Sequence, residues 1–155
     1  MYHDEKKEIE VLGSAFFDED RLDILLSYPE KLFFFDKHIT VLNAIKDLTE
    51  NKKPDDTIDI ISLRTHLQEN NDKKLIEIVD NMMQYPYSHN IKVEIKYLEG
   101  LFVKRELAML SADFKKGVIT FDEQFEKIQE IYDSINADKQ DDYIDFEKYL
   151  KDKSL

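Results

Sequence analysis

The sequence predicts an all-α fold, in which a small helical head of about five to six helices is followed by an antiparallel helical hairpin and a C-terminal linker helix. Only three glycines and three prolines interrupt the 155 residues, so strands would have few turns to connect them. Apolar residues recur at helical spacing along most of the chain. We expect the head in residues 1–101, the hairpin, continuous with the head, in residues 102–136, and the linker with its short amphipathic helix in residues 137–155.

The first two predicted helices form a helical hairpin of their own. The first covers residues 5–17, and its apolar face comprises Ile9, Leu12, Ala15 and Phe16. Gly13 lies inside this helix, where glycine costs about 1 kcal/mol relative to alanine, so we expect another backbone or a bulky ring to pack closely against it. Either Asp18 or Asp20 can cap the second helix.

Three further helices complete the predicted head. Asp36 is well placed to cap the third helix, and residues 49–56 that follow this helix form a loop. The apolar stripe of the third helix comprises Ile39, Leu42, Ile45 and Leu48. Asp59 can cap the fourth helix. The apolar face of the fifth helix comprises Leu75, Ile76, Val79, Met82 and Met83.

The hairpin begins with a long helix over residues 91–116. Gly117 is typical of the left-handed glycine that ends a helix, and Thr120 with Glu123 has the spacing of a capping box for the next one. That helix has an apolar stripe of Phe125, Ile128, Ile131, Tyr132 and Ile135, which predicts antiparallel packing against the long helix. After a charged linker, a last short helix has a stripe of Tyr143, Phe146, Tyr149 and Leu150 that it cannot bury alone.

The charge and residue content exclude several classes of function. Acidic residues outnumber basic ones by 34 to 22, giving a net charge of −12, so we expect no direct tight DNA binding. The absence of cysteine excludes disulfides and thiolate metal sites. No apolar run resembles a signal peptide or a membrane span, so we expect a cytoplasmic protein that does not contact a membrane.

No motif for catalysis, cofactor binding or metal binding is evident. The sequence has no Gly-x-x-x-x-Gly-Lys-Ser/Thr loop for phosphate, and its four histidines lack the spacing of metal ligands. We therefore expect no enzymatic activity, no cofactor and no metal in this chain. We expect His38 to open a helix or to form a hydrogen bond in the core, and the consecutive rings of Phe33, Phe34 and Phe35 to anchor the core with one ring near the surface.

Several short motifs follow one another between residues 8 and 107. They comprise Glu8, Val11, Leu12 and Gly13; Phe33, Phe34 and His38; Asp59, Ile60, Ile61 and Leu63; and finally Asn90 and Arg105. Their order and spacing resemble the N-terminal domain of replicative DNA helicases of the DnaB type, and no motor domain resembling the family's follows in this chain. Lys7 stands where the family usually has alanine, Glu94 stands where it usually has tyrosine, and the loop after Pro54 is a few residues longer.

The resemblance implies a role in DNA replication through protein–protein interaction. Domains of this kind pair through their hairpins into a collar, where primase or a helicase loader docks. It implies here a homodimer or higher homo-oligomer that binds primase, a loader or a replicative helicase. The candidate interface residues are Phe114, Phe125, Ile128, Tyr132, Tyr143, Phe146, Tyr149 and Leu150. Two alternatives are a freestanding phage or mobile-element protein that recruits or inhibits a host helicase or primase, and an unrelated acidic helical regulator.

Overall fold

The computed structural model describes residues 2–84 and 90–136. These residues form seven α-helices and no strand, which confirms the all-α prediction. The helices are α1 (Glu5–Ser14), α2 (Glu19–Leu26), α3 (Asp36–Asn51), α4 (Ile60–Glu69), α5 (Lys73–Gln84), α6 (Ile91–Lys115) and α7 (Phe121–Asn136). Short 3₁₀ turns occupy Ala15–Phe17 and Glu30–Leu32. No helix in the described ranges is long and apolar enough to cross a membrane.

Aspartate side chains cap four of the head helices. The carboxylates of Asp4, Asp18, Asp59 and Asp72 accept hydrogen bonds from backbone N–H groups at the starts of α1, α2, α4 and α5 over 3.0, 2.8, 2.7 and 3.2 Å. These bonds satisfy N–H groups that lack a partner inside the helix. The cap of α4 is therefore the one that the sequence predicted, and α2 uses Asp18 rather than Asp20.

Two helices end in residues with positive φ. Gly117, at φ 74°, follows α6, and Asn71, at φ 55°, follows α4. After α6, the Val118 N–H donates to the Asp113 carbonyl oxygen over 3.0 Å while the Gly117 N–H donates to that of Phe114 over 3.1 Å. This pair of bonds is a Schellman motif, and the same pattern ends α4. The predicted role of Gly117 is confirmed.

The start of α3 differs from the prediction. The N-cap residue is Phe35, no side chain of its own caps the helix, and Asp36 is already its first helical residue. The prediction that Asp36 caps α3 is therefore wrong, because the helix begins one residue earlier than expected and Asp36 lies inside its first turn. In addition, α3 continues to Asn51, three residues into the predicted loop, and α1 gives way to a 3₁₀ turn after Ser14.

The buried face of α5 also departs from the prediction, because Ile78 is buried although it was not predicted, whereas Ile76 and Met83 were predicted but are not buried. Its buried residues are Leu75, Ile78, Val79 and Met82, which recur at i, i+3, i+4 and i+7. Met83 is 55% exposed because it lies just past this arc, in the last turn of the helix. Ile76 lies seven residues before Met83, on the same edge of the arc, and is only half-buried.

The described residues divide into two compact units, Tyr2–Phe102 and a second unit that begins at Val103. In the first unit, the head, α1 contacts α2, α3 and α5, and its residues Val11 and Leu12 are completely buried. A Cβ atom on Gly13 would lie 2.9 Å from the Met82 carbonyl oxygen on α5. This confirms the predicted close packing, since only glycine lets the two backbones approach so far. The second unit contains the end of α6, the turn at Gly117, and α7.

Candidate protein-interaction site

The described residues offer no group of three or more His, Asp or Glu side chains that could hold a metal ion. The functional candidates are therefore the family-motif residues of the head and the apolar residues of the hairpin, and they fall into two environments. Most motif residues are buried, whereas most described hairpin candidates are half-buried or exposed.

Glu8 is the polar anchor of the head. Its side chain is completely buried, and its carboxylate accepts hydrogen bonds from Phe34 N–H at 3.0 Å, from Phe35 N–H at 3.4 Å and from His38 Nδ1 at 2.9 Å. Burying a carboxylate is costly unless several donors surround it. Here the donors are the two N–H groups before α3 and a side chain in its first turn, so Glu8 joins α1 to the start of α3.

His38 provides the third hydrogen bond to the Glu8 carboxylate. Because the carboxylate can only accept, the Nδ1 atom must donate, which assigns the tautomer of the ring. Its Nε2 atom is buried and makes no hydrogen bond to the part of the chain that the structure describes. The predicted core hydrogen bond of His38 is thus present, and its partner is a residue that the sequence placed in a separate motif.

An aromatic cluster covers the anchor. The His3 ring stacks on Phe34 with centroids 4.5 Å apart and an angle of 11° between the planes, and Phe35 packs edge-on against both rings. Phe33 is buried, whereas Phe34 is 44% exposed, as expected for three consecutive aromatic residues. The Lys37 ammonium lies 5.6 Å from the centroid of Phe35 and also forms an ion pair with a glutamate of α1.

The other motif residues serve packing or helix ends. Leu12 and Leu63 lie in the core with no exposed surface. Asp59 caps α4, and its carboxylate accepts hydrogen bonds from the backbone N–H of Ser62 and from the Ser62 hydroxyl. These two bonds, the backbone one first, hold the pKa of the Asp59 carboxyl below its usual value. Asn90 accepts a 3.4 Å bond from the Val93 N–H at the start of α6. Arg105 is half-buried within α6.

The two positions at which this sequence departs from the family pattern contact each other. The Lys7 ammonium lies 2.7 Å from the Glu94 carboxylate and 3.2 Å from that of Glu10. The hydrogen bond to Glu94 is the main cause that raises the pKa of Lys7 above its usual value. Lys7 also lies 5.7 Å from the centroid of the Tyr97 ring, whose hydroxyl donates to Asp4. Sequence reasoning noted the two departures separately and missed that they form one contact.

The second unit buries few of its large apolar residues. Among its described residues, the buried ones are Leu110, Ile119 and Ile135, while Ile128 and Tyr132 are half-buried. The exposed ones are Met109 at 61%, Phe114 at 41%, Val118 at 66%, Phe121 at 70% and Phe125 at 49%. Phe114 and Phe121 face each other with ring centroids 6.4 Å apart. Three of these exposed residues, Met109, Val118 and Phe121, were not among the predicted interface residues.

A signal for Phe121 was present in the sequence, because it precedes Phe125 by four residues and so extends the apolar stripe of α7 by one turn. The capping box at its start is confirmed, since Glu123 N–H donates to Thr120 Oγ1 over 3.2 Å and the Glu123 carboxylate accepts from the Thr120 backbone N–H over 3.4 Å. The four other predicted interface residues, Tyr143, Phe146, Tyr149 and Leu150, lie outside the described residues.

The described residues thus form a helical domain with one buried carboxylate anchor in its head and exposed apolar side chains on its hairpin. The chain belongs to the family of DnaB-like helicase N-terminal domains, whose model matches residues 1–99. Its fold is similar to the crystal structure of the N-terminal domain of DnaB helicase from Mycobacterium tuberculosis, with a TM-score of 0.61 and 21% identity, covering 84% of this chain and 97% of that one.

A comparison with curated protein sequences gave no match. Membership of this family links the chain to DNA replication. It also excludes the alternative that the chain is an unrelated acidic regulator.

Proposed function

We propose that this chain is a collar-type domain that associates with copies of itself through its hairpin and docks primase or a helicase loader. The same docking role applies whether a helicase motor belongs to the same polypeptide or to a separate partner. The observation that carries the proposal is the exposed apolar surface of the hairpin, in a chain that belongs to a helicase N-terminal family.

The size of this surface supports an interaction. A phenylalanine side chain offers about 200 Å² for burial, so the exposed fractions of Phe114, Phe121 and Phe125 leave roughly 300 Å² of aromatic surface in water. Val118, beside Gly117 in the turn, adds to it. Contiguous apolar areas of this size on a soluble domain commonly mark interaction sites.

Self-association is tested by replacing two exposed rings of α7. Phe121→Ser with Phe125→Ser removes apolar surface that a second copy would bury, so we expect a shift to monomers in light scattering at concentrations where the natural chain is a dimer or larger. Lys127→Ser, on the same helix but outside the apolar stripe, is the matched control. Circular dichroism verifies that the helices persist. An unchanged mass of the double variant would refute the hairpin as the contact.

Partner docking is tested by affinity capture from a lysate of the source cells with the tagged chain. We expect mass spectrometry to identify primase, a helicase loader or a replicative helicase among the retained proteins. Capture with the Phe121→Ser and Phe125→Ser variant shows whether docking needs the self-associated form. Recovery of none of the three proteins, with a folded bait, would contradict the docking part of the proposal.

A further inference from the structure

The rings of Phe34 and Phe35 form a fixed pair at the surface of the head, which we call the aromatic pair. The centroids of the two rings lie 5.1 Å apart and their planes are nearly perpendicular, at 88°. The buried Glu8 carboxylate accepts a hydrogen bond from the backbone N–H of each residue, so their backbone is held in place. Phe34 nevertheless remains 44% exposed. The aromatic pair is therefore a preorganised, partly open surface on which a planar group can stack.

The His3 ring occupies the aromatic pair, and only weak contacts hold it there. The ring stacks on the face of Phe34 with centroids 4.5 Å apart, and it lies 5.2 Å from the centroid of Phe35. His3 precedes the first residue of α1 and is itself exposed. No hydrogen bond joins it to any residue that the structure describes. Because stacking between two rings contributes little free energy on its own, a ligand that stacks more strongly can replace His3.

The charges beside the aromatic pair favour a cation. The Lys37 ammonium, which lies 5.6 Å from the centroid of Phe35, is paired with the Glu5 carboxylate. Asp36, the first residue of α3, is exposed, and its carboxylate forms no ion pair within the described ranges. The hydrogen bond from Lys37 is the main cause that lowers the pKa of the Glu5 carboxyl, and attraction to His3 adds to it. The position of the His3 ring therefore suits a positive charge.

The head itself shows which cation such a surface prefers. The Arg21 guanidinium lies 4.7 Å from the centroid of the Phe17 ring, and its Nε atom lies 3.7 Å from the Asp18 carboxylate. A guanidinium is planar and weakly hydrated, so it can stack on an aromatic face and pair with a carboxylate at the same time. Phe34 and the carboxylate of Asp36, two residues later, offer the same two groups to an arginine from outside the chain.

We propose that the aromatic pair binds an arginine side chain of a basic partner protein, and that its guanidinium replaces the His3 ring. His3 then acts as an internal competitor that limits the affinity for the partner. The net charge of −12 attracts a basic protein and repels the phosphates of a nucleic acid. The inference goes beyond the proposed function, because it concerns a surface of the head that does not include the hairpin, and it specifies the chemistry of the group bound there.

A titration of the full chain with acetyl-Gly-Arg-Gly-amide, followed by NMR of the Phe34 and His3 ring protons, tests the contact. We expect saturable shifts in the millimolar range. Removal of the competitor in His3→Ala should tighten binding about threefold or more. Phe34→Leu keeps an apolar side chain but lacks the aromatic face, so binding should weaken about tenfold. Phe17→Leu is the matched control, since Arg21 already lies over that exposed ring, and binding should not change.

Two further peptides separate charge from planarity. Lysine in place of the arginine keeps the charge without the planar group, and citrulline keeps the planar group without the charge. We expect each peptide to bind about fivefold more weakly than the arginine peptide, because the guanidinium needs both properties. Asp36→Asn and added salt should also weaken binding of the arginine peptide. Circular dichroism verifies that every variant keeps its helices.

Several results would overturn the inference. They are the absence of any shift with the arginine peptide, unchanged binding in Phe34→Leu, and weaker binding in His3→Ala, which would make His3 part of the site. Equal binding of the lysine or citrulline peptide, or equally strong shifts with adenosine, would also overturn the assignment to arginine. The variant with Phe121→Ser and Phe125→Ser should bind the peptide as the natural chain does. Failure of the hairpin contact and failure of arginine binding are therefore distinguishable.

Discussion

Glu8→Gln is the sharpest test of what holds the head together. The substitution keeps the size of the side chain but replaces one carboxylate oxygen by an NH₂ group. All three groups that face Glu8 are donors, namely the N–H groups of Phe34 and Phe35 and the Nδ1–H of His38. The glutamine amide can accept from some of them with its remaining oxygen, but its own donor group must then face another donor.

The expected loss in the free energy of unfolding follows from these contacts. A hydrogen bond to a buried charged group contributes about 1.5–3 kcal/mol, and a buried donor left without a partner costs about 1–3 kcal/mol. Glu8→Gln loses the charge on all the bonds and leaves at least one donor unsatisfied, so we expect a loss of about 3 kcal/mol in the free energy of unfolding. For a unit of this size, that corresponds to a fall in Tm of roughly 10 °C or more.

Thermal and urea unfolding followed by circular dichroism measure this loss. Glu5→Gln is the matched control, because Glu5 lies one turn earlier on α1 and forms an exposed ion pair with Lys37. Exposed ion pairs contribute about 0–1 kcal/mol, so the control should change stability little. A Glu8→Gln variant within about 1 kcal/mol of the natural chain, measured at the same pH, would show that the anchor is not the contact that joins α1 to α3.

Three further predictions concern other contacts of the head. Gly13→Ala should destabilise the head by about 1–2 kcal/mol in urea unfolding, because its Cβ would lie 2.9 Å from the Met82 carbonyl oxygen; equal or higher stability would contradict this close packing. Asp59→Ala should cost about 1 kcal/mol at neutral pH. Since the folded pKa of Asp59 is lowered, this stabilisation is complete above about pH 4–5 and is lost as the pH falls through the folded pKa, so the cost should shrink in acid, and a cost constant with pH would contradict the assignment. The loss of stability in the double variant Lys7→Ala with Glu94→Tyr should be smaller than the sum of the two single losses by about 0.5–1 kcal/mol in a double-mutant cycle, whereas strict additivity would show that the ion pair contributes nothing.

Features set by neighbouring residues were predictable from the sequence, and features set by distant ones were not. The caps Asp59 and Thr120 and the turn at Gly117 act within a few residues of themselves, so a short motif is sufficient to identify them. The start of α3 is different. The N–H groups of Phe34 and Phe35, just before this helix, pair with Glu8, which is 26 and 27 residues earlier, so no local window could show what holds the start of α3 in place.

The apolar faces of the helices also depend partly on distant residues, which the sequence pattern does not show. On α7 the apolar periodicity predicted a stripe of which only Ile135 is buried while Phe125 is 49% exposed, because periodicity alone cannot tell which residues of a stripe are covered by the chain itself. On α5 the pattern included Met83, which is exposed, because the buried arc depends on where α1 and α4 contact that helix. The Lys7–Glu94 pair could not be inferred from either position, because the contact joins residues 87 positions apart that meet only in the folded head.

Because the His38 ring is completely buried, its ring proton can serve as a spectroscopic probe of the head. Its Nδ1 proton is held against a carboxylate and has no exposed surface, so it can exchange with water only when the head opens. Of the other histidines that the structure describes, His3 is exposed and His66 is half-buried, so neither shields its ring protons in this way. The decay of this single imidazole resonance in deuterium oxide would therefore measure how fast α1 opens from α3 in the folded protein, without any label.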